Sequence, residues 1–190
     1  MLNKKITLLS FAAFFLFSCS QKNNYGDFSV KGRVDNAPTT TMYLEKLSYD
    51  GSDAQVVDSC KIENNTYKLH GTATEEQLYV LSFNHVPAII FVNDAKEAEI
   101  NFNMDRFRNP SVFGSKATEQ LYTFIHNYFS QDSSLSRLSY RVDTLKKYHP
   151  DSNEIDSLQK IGAIQLAGLN SIVSLFIQNS NSPEIGRAHV

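Results

Sequence analysis

The hydrophobic pattern of the chain changes once, near Gly114. Between Asp27 and Gly114, apolar and polar residues alternate in short runs separated by turn residues, and a period of two is typical of strands with one buried face. The runs cover 28–34, 42–44, 56–62, 67–71, 78–83, 88–92, 98–102 and 112–113. Their short spacing favours mostly antiparallel hairpins, so we predict a small β-sandwich or a curled sheet.

After Gly114, apolar residues recur three and four positions apart, as on one face of a helix. One such stripe over 121–129 predicts a first helix, with Ser115 as its N-cap. A second stripe over 135–145 predicts a second amphipathic helix. The two lysines that follow suit a helix C-terminus.

A third helix is predicted beyond the single proline of this region. Asp151 followed by Glu154 resembles a capping box with the aspartate as the cap, and apolar residues recur over 155–176. The chain is therefore expected to have an α+β fold. Its β-rich N-terminal domain covers 27–114, and a helical connector covers 115–183.

The first 18 residues predict a secretion signal. A lysine pair precedes an apolar stretch over 6–17, which is shorter than the about 20 helical residues that cross a bilayer. The stretch ends in LFSC (16–19), which resembles the lipobox of bacterial lipoproteins. The resemblance implies that the signal peptide 1–18 is removed and that Cys19 is lipidated. The alternatives are an ordinary signal peptide with a chance cysteine, or a short membrane anchor.

Residues 19–26 are polar and predict a lipidated tether, so the expected partner is a membrane reached through Cys19. In bacterial lipoproteins, an aspartate directly after the cysteine favours retention at the inner membrane. Ser20 occupies that position, and the Asn pair that follows lacks the acidic character of a surface-export signal. We therefore expect a protein of the cell envelope, anchored to the outer membrane and facing the periplasm.

Composition excludes several classes of protein. The 18 basic and 20 acidic residues give a formal charge of -2, which provides no basic surface for nucleic acid. Aromatic residues make up 12% of the chain, too many for a disordered protein. The two cysteines exclude a disulfide-dense scaffold and a tetrahedral cysteine zinc site. The oligomeric state remains open at this point.

The residues that most often perform chemistry do not form a recognisable site. The five histidines share no metal-ligand spacing and no paired carboxylate; they are His70, His85, His126, His149 and His189. Cys60 lies in an alternating run over 56–62, which favours a small half-buried strand residue over a reactive thiol. We therefore predict no catalytic residue, no cofactor and no metal site.

Six short motifs follow one another through the β half. They are FSVKGRV (28–34), MYL (42–44), VDSCKI (57–62), NTYKLHG (65–71), FVND with EINF (91–94 and 99–102) and VFGS (112–115). In this order they resemble a domain of unknown function found at the N-terminus of thioredoxin-like lipoproteins of the TlpA/ResA type. Cys60 replaces the usual alanine of that family, and Tyr67 replaces a phenylalanine. With the helices included, the resemblance covers about 27–183.

In that family the helices lead into a thioredoxin fold whose Trp-Cys-x-x-Cys motif performs thiol-disulfide exchange. This chain contains no tryptophan and no Cys-x-x-Cys, so no residue here inherits that activity. The resemblance implies a non-catalytic accessory or recognition domain, with the protein clients of a missing thioredoxin domain as partners. The alternative is a stand-alone envelope lipoprotein that captures a peptide or a glycan on its β-sheet.

The last residues, 184–190, do not continue the family pattern. Back-translated, they fit consecutive codons of a common sequencing adapter. We therefore expect a non-native tail, and a gene that continues after about Pro183 into a thioredoxin domain.

Overall fold

The structure is a computed structural model that describes residues 26–48, 52–180 and 182. The strands are β1 (Gly26–Asp35), β2 (Thr41–Lys46), β3 (Gln55–Lys61), β4 (Thr66–Ala73), β5 (Leu78–Phe83), β6 (Val86–Val92), β7 (Glu97–Asn103) and β8 (Ser111–Phe113), and the helices are α1 (Lys116–Tyr148) and α2 (Glu154–Asn179). Each run predicted as a strand overlaps one of these strands, and the α+β fold class is confirmed.

The strands form two four-stranded sheets with the orders β4-β1-β7-β8 and β3-β2-β5-β6. Strands β1 and β7 run parallel, and the other pairs of named strands are antiparallel, as predicted. A parallel pair requires a long connection, and here β2 to β6 supply it while they build the second sheet. The stretch Tyr49-Asp50-Gly51-Ser52, in which the Asp-Gly step is typical of a tight turn, lies outside the described residues except for Ser52.

The hydrophobic core lies between the two sheets. Its aromatic centre joins both layers, with ring centroids 4.9 Å apart for Phe28 and Tyr79 and 5.8 Å apart for Tyr79 and Phe91. Further fully buried members are Val30, Val34, Met42, Leu44, Leu69, Leu81, Ile89 and Ile100. These residues come from the alternating apolar positions, because successive side chains of a strand point to opposite faces.

Two glycines of the sequence motifs allow this core to close. A Cβ atom on Gly32 would lie 2.0 Å from the carbonyl oxygen of Ile100, and that oxygen accepts a 2.7 Å hydrogen bond from the Tyr67 hydroxyl. A Cβ atom on Gly71 would lie 2.4 Å from the ring of Phe28. Glycine is required at both positions for steric reasons.

On one side of the sandwich, a carboxylate joins the edge strands of the two sheets. Strands β3 and β4 belong to different sheets and are connected by a turn in which Asn64 and Asn65 have positive φ angles. Asp58 in β3 accepts a 2.7 Å hydrogen bond from the backbone amide of His70 in β4. The carboxylate thus links two sheet edges that would otherwise expose backbone groups.

The opposite side is covered by the start of α1, which Ser115 caps as predicted. The Val92 amide of the edge strand β6 donates a 3.0 Å hydrogen bond to the hydroxyl oxygen of Thr118, and the Ile90 amide donates a 3.1 Å bond to the hydroxyl oxygen of Tyr122. The Ser115 hydroxyl lies 3.3 Å from the Val92 carbonyl oxygen. Side chains of the helix therefore replace a missing neighbouring strand.

The prediction of two separate helices between 115 and 147 is wrong, because α1 is continuous from Lys116 to Tyr148. The serine-rich stretch 130–139, which joins the two predicted helices, packs against α2. There the Gln165 amide nitrogen lies 3.4 Å from the Ser134 hydroxyl, and the Gln131 amide nitrogen lies 3.5 Å from the Gln165 carbonyl oxygen. Contacts with a neighbouring helix outweigh the low helix propensity of serine.

The third predicted helix is confirmed as α2, but Asp151 does not cap it. The helix begins at Glu154, and its N-cap residue Asn153 makes no side-chain capping bond. The amide of Glu154 instead donates a 3.3 Å hydrogen bond to the hydroxyl oxygen of Ser152. The helix starts later than the capping-box pattern predicted, and a different side chain satisfies its first amide.

We expect Thr118→Val to lower the free energy of unfolding by about 1–3 kcal/mol, because the buried Val92 amide loses its acceptor while side-chain volume is kept. Chemical denaturation measures the change. The matched control is Thr144→Val, whose exposed hydroxyl bonds only to its own helix and whose loss should cost less than ~0.5 kcal/mol. Equal effects of the two substitutions would contradict the assigned role of Thr118.

Candidate functional site

The predicted lipidation site, Cys19, lies outside the described residues. The predicted signal peptide 1–18 and the tail 184–190 lie outside them as well. Of the tether 19–26, only Gly26 is described, and it is the first residue of β1. The lipidation site, the signal peptide, the tether and the non-native tail remain predictions.

Cys60 is the free cysteine among the described residues and lies half-buried in β3. Burial raises the pKa of its thiol above the ordinary value, and the neighbouring Asp58 charge acts in the same direction. A thiol with a raised pKa is a poor nucleophile at neutral pH. Its position against the core agrees with the interpretation of Cys60 as a structural residue.

His85 has a carboxylate partner, Glu45. Its Nδ1 atom lies 2.5 Å from Oε1 of Glu45, whose side chain is only 3% exposed, whereas the His85 side chain is 66% exposed. The imidazole also stacks on the ring of Tyr43, with centroids 5.1 Å apart. A buried carboxylate thus holds an accessible imidazole in one orientation.

Strand pairing produces this cluster. Tyr43 and Glu45 lie on β2, and His85 lies in the two-residue turn between β5 and β6, where Asn84 and His85 have φ angles of 48° and 60°. Positive φ at both positions is typical of a type I′ hairpin turn. The Glu45–His85 pair joins residues 40 positions apart, so no local spacing in the sequence predicts it.

A polar groove of about 470 Å³ lies between α1 and the segment that precedes β8. Its lining residues are Arg108, Asn109, Pro110, Val112, Glu119, Tyr122, Thr123, His126 and Asn127. Burial raises the pKa of Tyr122 to about 12, so its hydroxyl stays protonated well above neutral pH. The Arg108 guanidinium carbon lies 5.0 Å from the centroid of the exposed Phe129 ring, a cation–π arrangement.

An apolar groove of about 460 Å³ lies on the other side of α1, between α1 and α2. Its lining residues are Lys116, Glu119, Gln120, Thr123, Phe124, Asn127, Ile172, Leu175, Phe176, Asn179 and Ser180. The rings of Phe124 and Phe176 form its base, stacked with centroids 4.1 Å apart. The Lys116 side chain adds a cation at its edge.

One ridge of α1 separates the two grooves. Glu119, Thr123 and Asn127 line both of them and recur every four residues, so they lie on one face of the helix. An extended ligand that crosses this ridge meets hydrogen-bonding side chains on one side and aromatic carbon on the other. Such a combination suits binding of a peptide segment.

The described residues do not form a metal centre. No group of three or more histidine, cysteine, aspartate or glutamate side chains within 26–48, 52–180 and 182 is placed to hold a metal ion. His126 lies in the polar groove, and His149 ends α1.

We expect His85→Ala to lower the free energy of unfolding by about 1–3 kcal/mol, because the buried Glu45 carboxylate loses its partner. The double variant Glu45→Gln with His85→Ala should recover part of this loss, since a neutral amide costs less to bury than a charge. Chemical denaturation of the double-mutant cycle measures both effects. His126→Ala, at another exposed histidine, is the control, and an equal loss there would contradict the pairing.

Comparison with known proteins relates one part of the chain to a family. No curated protein and no solved structure matches the chain significantly. The family model described as "Domain of unknown function (DUF4369)" matches residues 28–121, from β1 through the first turns of α1. The matched segment contains both sheets together with Ser115 and Thr118, which join the helix to them. Residues 28–121 are thus identified as a domain similar to the DUF4369 family.

Proposed function

We propose that this protein is the N-terminal accessory part of a lipid-anchored envelope protein whose full-length form carries a thioredoxin-like thiol-disulfide oxidoreductase domain. In this proposal the β-sandwich is a recognition and spacer domain, and the helices connect it to the catalytic domain. The observation that carries the proposal is the family match over 28–121, which falls on the segment whose motifs resemble the N-terminal domain of thioredoxin-like lipoproteins.

The junction between sandwich and helix supports the spacer role. Besides the Thr118 and Tyr122 contacts with β6, the Asp94 carboxylate accepts a 2.8 Å hydrogen bond from the Ala117 amide in the first turn of α1. A carboxylate at this end of a helix also interacts favourably with the helix dipole. The start of α1 is held at several points, and this suits an element that positions a neighbouring domain.

The chemistry of Cys60 supports a non-catalytic role for the β domain. Thiol-disulfide exchange needs a thiolate, and burial raises the pKa of this thiol. In addition, Asp58, two residues before Cys60 in β3, accepts a hydrogen bond from the backbone of β4 and so joins the two sheet edges. This favours a packing role for the segment that contains Cys60. In this proposal the redox step belongs to a downstream domain.

The two grooves favour a second candidate function, capture of a peptide by a stand-alone envelope lipoprotein. They flank one helix face and combine polar and aromatic walls. The sequence-based alternative placed such a ligand on the β-sheet, whereas the two grooves flank the start of α1. The two candidates differ in where recognition occurs and in whether catalysis by a downstream domain follows it.

Lipidation is tested by metabolic labelling in a Gram-negative host with an alkyne fatty acid. We expect the full chain to be labelled and to fractionate with outer membranes, and Cys19→Ala to lose both properties because the acylated thiol is gone. Cys60→Ala keeps both, since its thiol is half-buried in a strand. Equal labelling of the Cys19→Ala variant would contradict the lipoprotein assignment.

The redox proposal is tested on the native gene, sequenced with long reads across the region that encodes 184–190. We expect the open reading frame to continue into a Cys-x-x-Cys motif and its product to reduce insulin. Substituting the first cysteine of that motif should abolish the activity, and Cys60→Ser should leave it unchanged. A native stop codon near 190 would exclude the oxidoreductase and favour the stand-alone binding lipoprotein.

A further inference from the structure

Helix α2 presents an apolar stripe that the rest of the described chain leaves exposed. Ile161, Ile164 and Leu175 are 45%, 72% and 52% exposed. They alternate with Ser171 and with Gly168 at spacings of three and four residues, which is the spacing of a seam between paired helices. Gly168 is half-buried, and the Gln131 amide nitrogen of α1 lies 3.4 Å from the position that a Cβ atom on Gly168 would take. The stripe therefore has the pattern of a helix-packing surface.

A different face of α2 contacts α1. Phe176 stacks on Phe124, Ile155 and Leu169 are buried, and Gly162 approaches a leucine side chain of α1. At 3.6 residues per turn, this face lies roughly a third of a turn away from the exposed stripe. The packing of the helical hairpin thus accounts for one face of α2 and leaves the stripe unexplained.

A lipid bilayer is a poor explanation for the stripe. By length and composition alone, α2 (Glu154–Asn179) could cross a membrane, and no charged residue occurs over 161–179. However, α2 packs along α1, whose Arg137, Arg141 and Asp143 would then enter hydrocarbon at high cost. A helix lying on a membrane surface carries lysine or arginine on its polar face. The polar residues of α2 over 161–179 are uncharged.

We propose that the stripe packs against the same stripe of a second copy of this chain, with the two α2 helices antiparallel and Gly168 at the two-fold axis. In this alignment Ile161 of each copy lies opposite Leu175 of the other. The larger Ile164 of one copy lies beside the small Ser171 of the other. A surface that matches itself in this way suits the isologous interface of a two-fold dimer.

The charges at the two ends of α2 favour the antiparallel arrangement. Lys160 of one copy falls beside the last turn of the other α2, where the carbonyl groups point outward and no basic residue occurs. A parallel pair would instead place Lys160 beside Lys160, and the acidic first turns, with Glu154 and Asp156, beside each other. The antiparallel pair also opposes the two helix dipoles.

The proposal is independent of the thioredoxin domain, and it is tested on the full chain by cysteine cross-linking. The background carries Cys19→Ser and Cys60→Ser, so that no other thiol is present, and serves as the blank. Gly168→Cys is expected to form a disulfide-linked dimer after mild oxidation. Ile161→Cys and Leu175→Cys should cross-link only when the two variants are expressed together. Cross-linking of Ile161→Cys with itself would overturn the antiparallel arrangement, and absence of the Gly168→Cys dimer would overturn the interface.

A charge placed on the stripe provides the second measurement. Ile164→Lys is expected to reduce cross-linking through Gly168→Cys at least tenfold, because it would bury a charge at the seam. Tyr140→Lys places the same charge at an equally exposed position on α1, 76% exposed, and should leave cross-linking unchanged. Circular dichroism confirms that both variants fold. Undiminished cross-linking of the folded Ile164→Lys variant would contradict the proposal.

Discussion

The backbone of the edge strand β6 needs hydrogen-bond partners, and the first two turns of α1 provide them. The Val92 amide bonds to the Thr118 hydroxyl, and the Ile90 amide bonds to the Tyr122 hydroxyl. An unpaired buried backbone group costs free energy comparable to a lost hydrogen bond, so the sandwich and the helix stabilise each other at this junction. The DUF4369 match ends at residue 121, just after Thr118, so the matched segment includes most of the contact that completes the sheet.

Every functional feature proposed for the helical part depends on this junction. The polar groove lies between α1 and the segment before β8, and the apolar groove uses the opposite side of the same helix turns. The direction in which α1 leaves the sandwich also sets the position of α2. After α2 the chain returns to the β domain, where the Ser182 hydroxyl bonds to the Glu76 carboxylate. The helical hairpin therefore meets the β domain at both of its ends.

Local patterns in the sequence predicted the strands and the fold class well. The alternating runs coincide with β1 to β8, and glycines of the quoted motifs have steric explanations, since Gly32 lies against the Ile100 carbonyl and Gly71 lies beneath the Phe28 ring. The two-residue period of the hydrophobic pattern indicates which side chains face the core. It does not record which strands share a sheet, so the parallel pairing of β1 with β7 could not be derived from it.

The sequence was least informative where a distant contact decides the local structure. The serine-rich part of α1 remains helical because Ser134 and Gln131 contact Gln165 of α2. The Glu45–His85 pair depends on a strand pairing across 40 positions, and the grooves exist only once α1 docks. Cys60 was correctly placed in a strand, because the alternating pattern over 56–62 is a local feature of the β3 sequence.

The most direct test of this account is amide hydrogen exchange at Val92. If the Thr118 hydroxyl replaces a neighbouring strand, the Val92 amide exchanges as slowly as amides of the central strand β5, and Thr118→Val accelerates its exchange while leaving β5 unchanged. The account would be contradicted if the Val92 amide exchanged as fast as amides of a solvent-exposed strand edge, at the same rate in the unsubstituted protein and in the Thr118→Val variant.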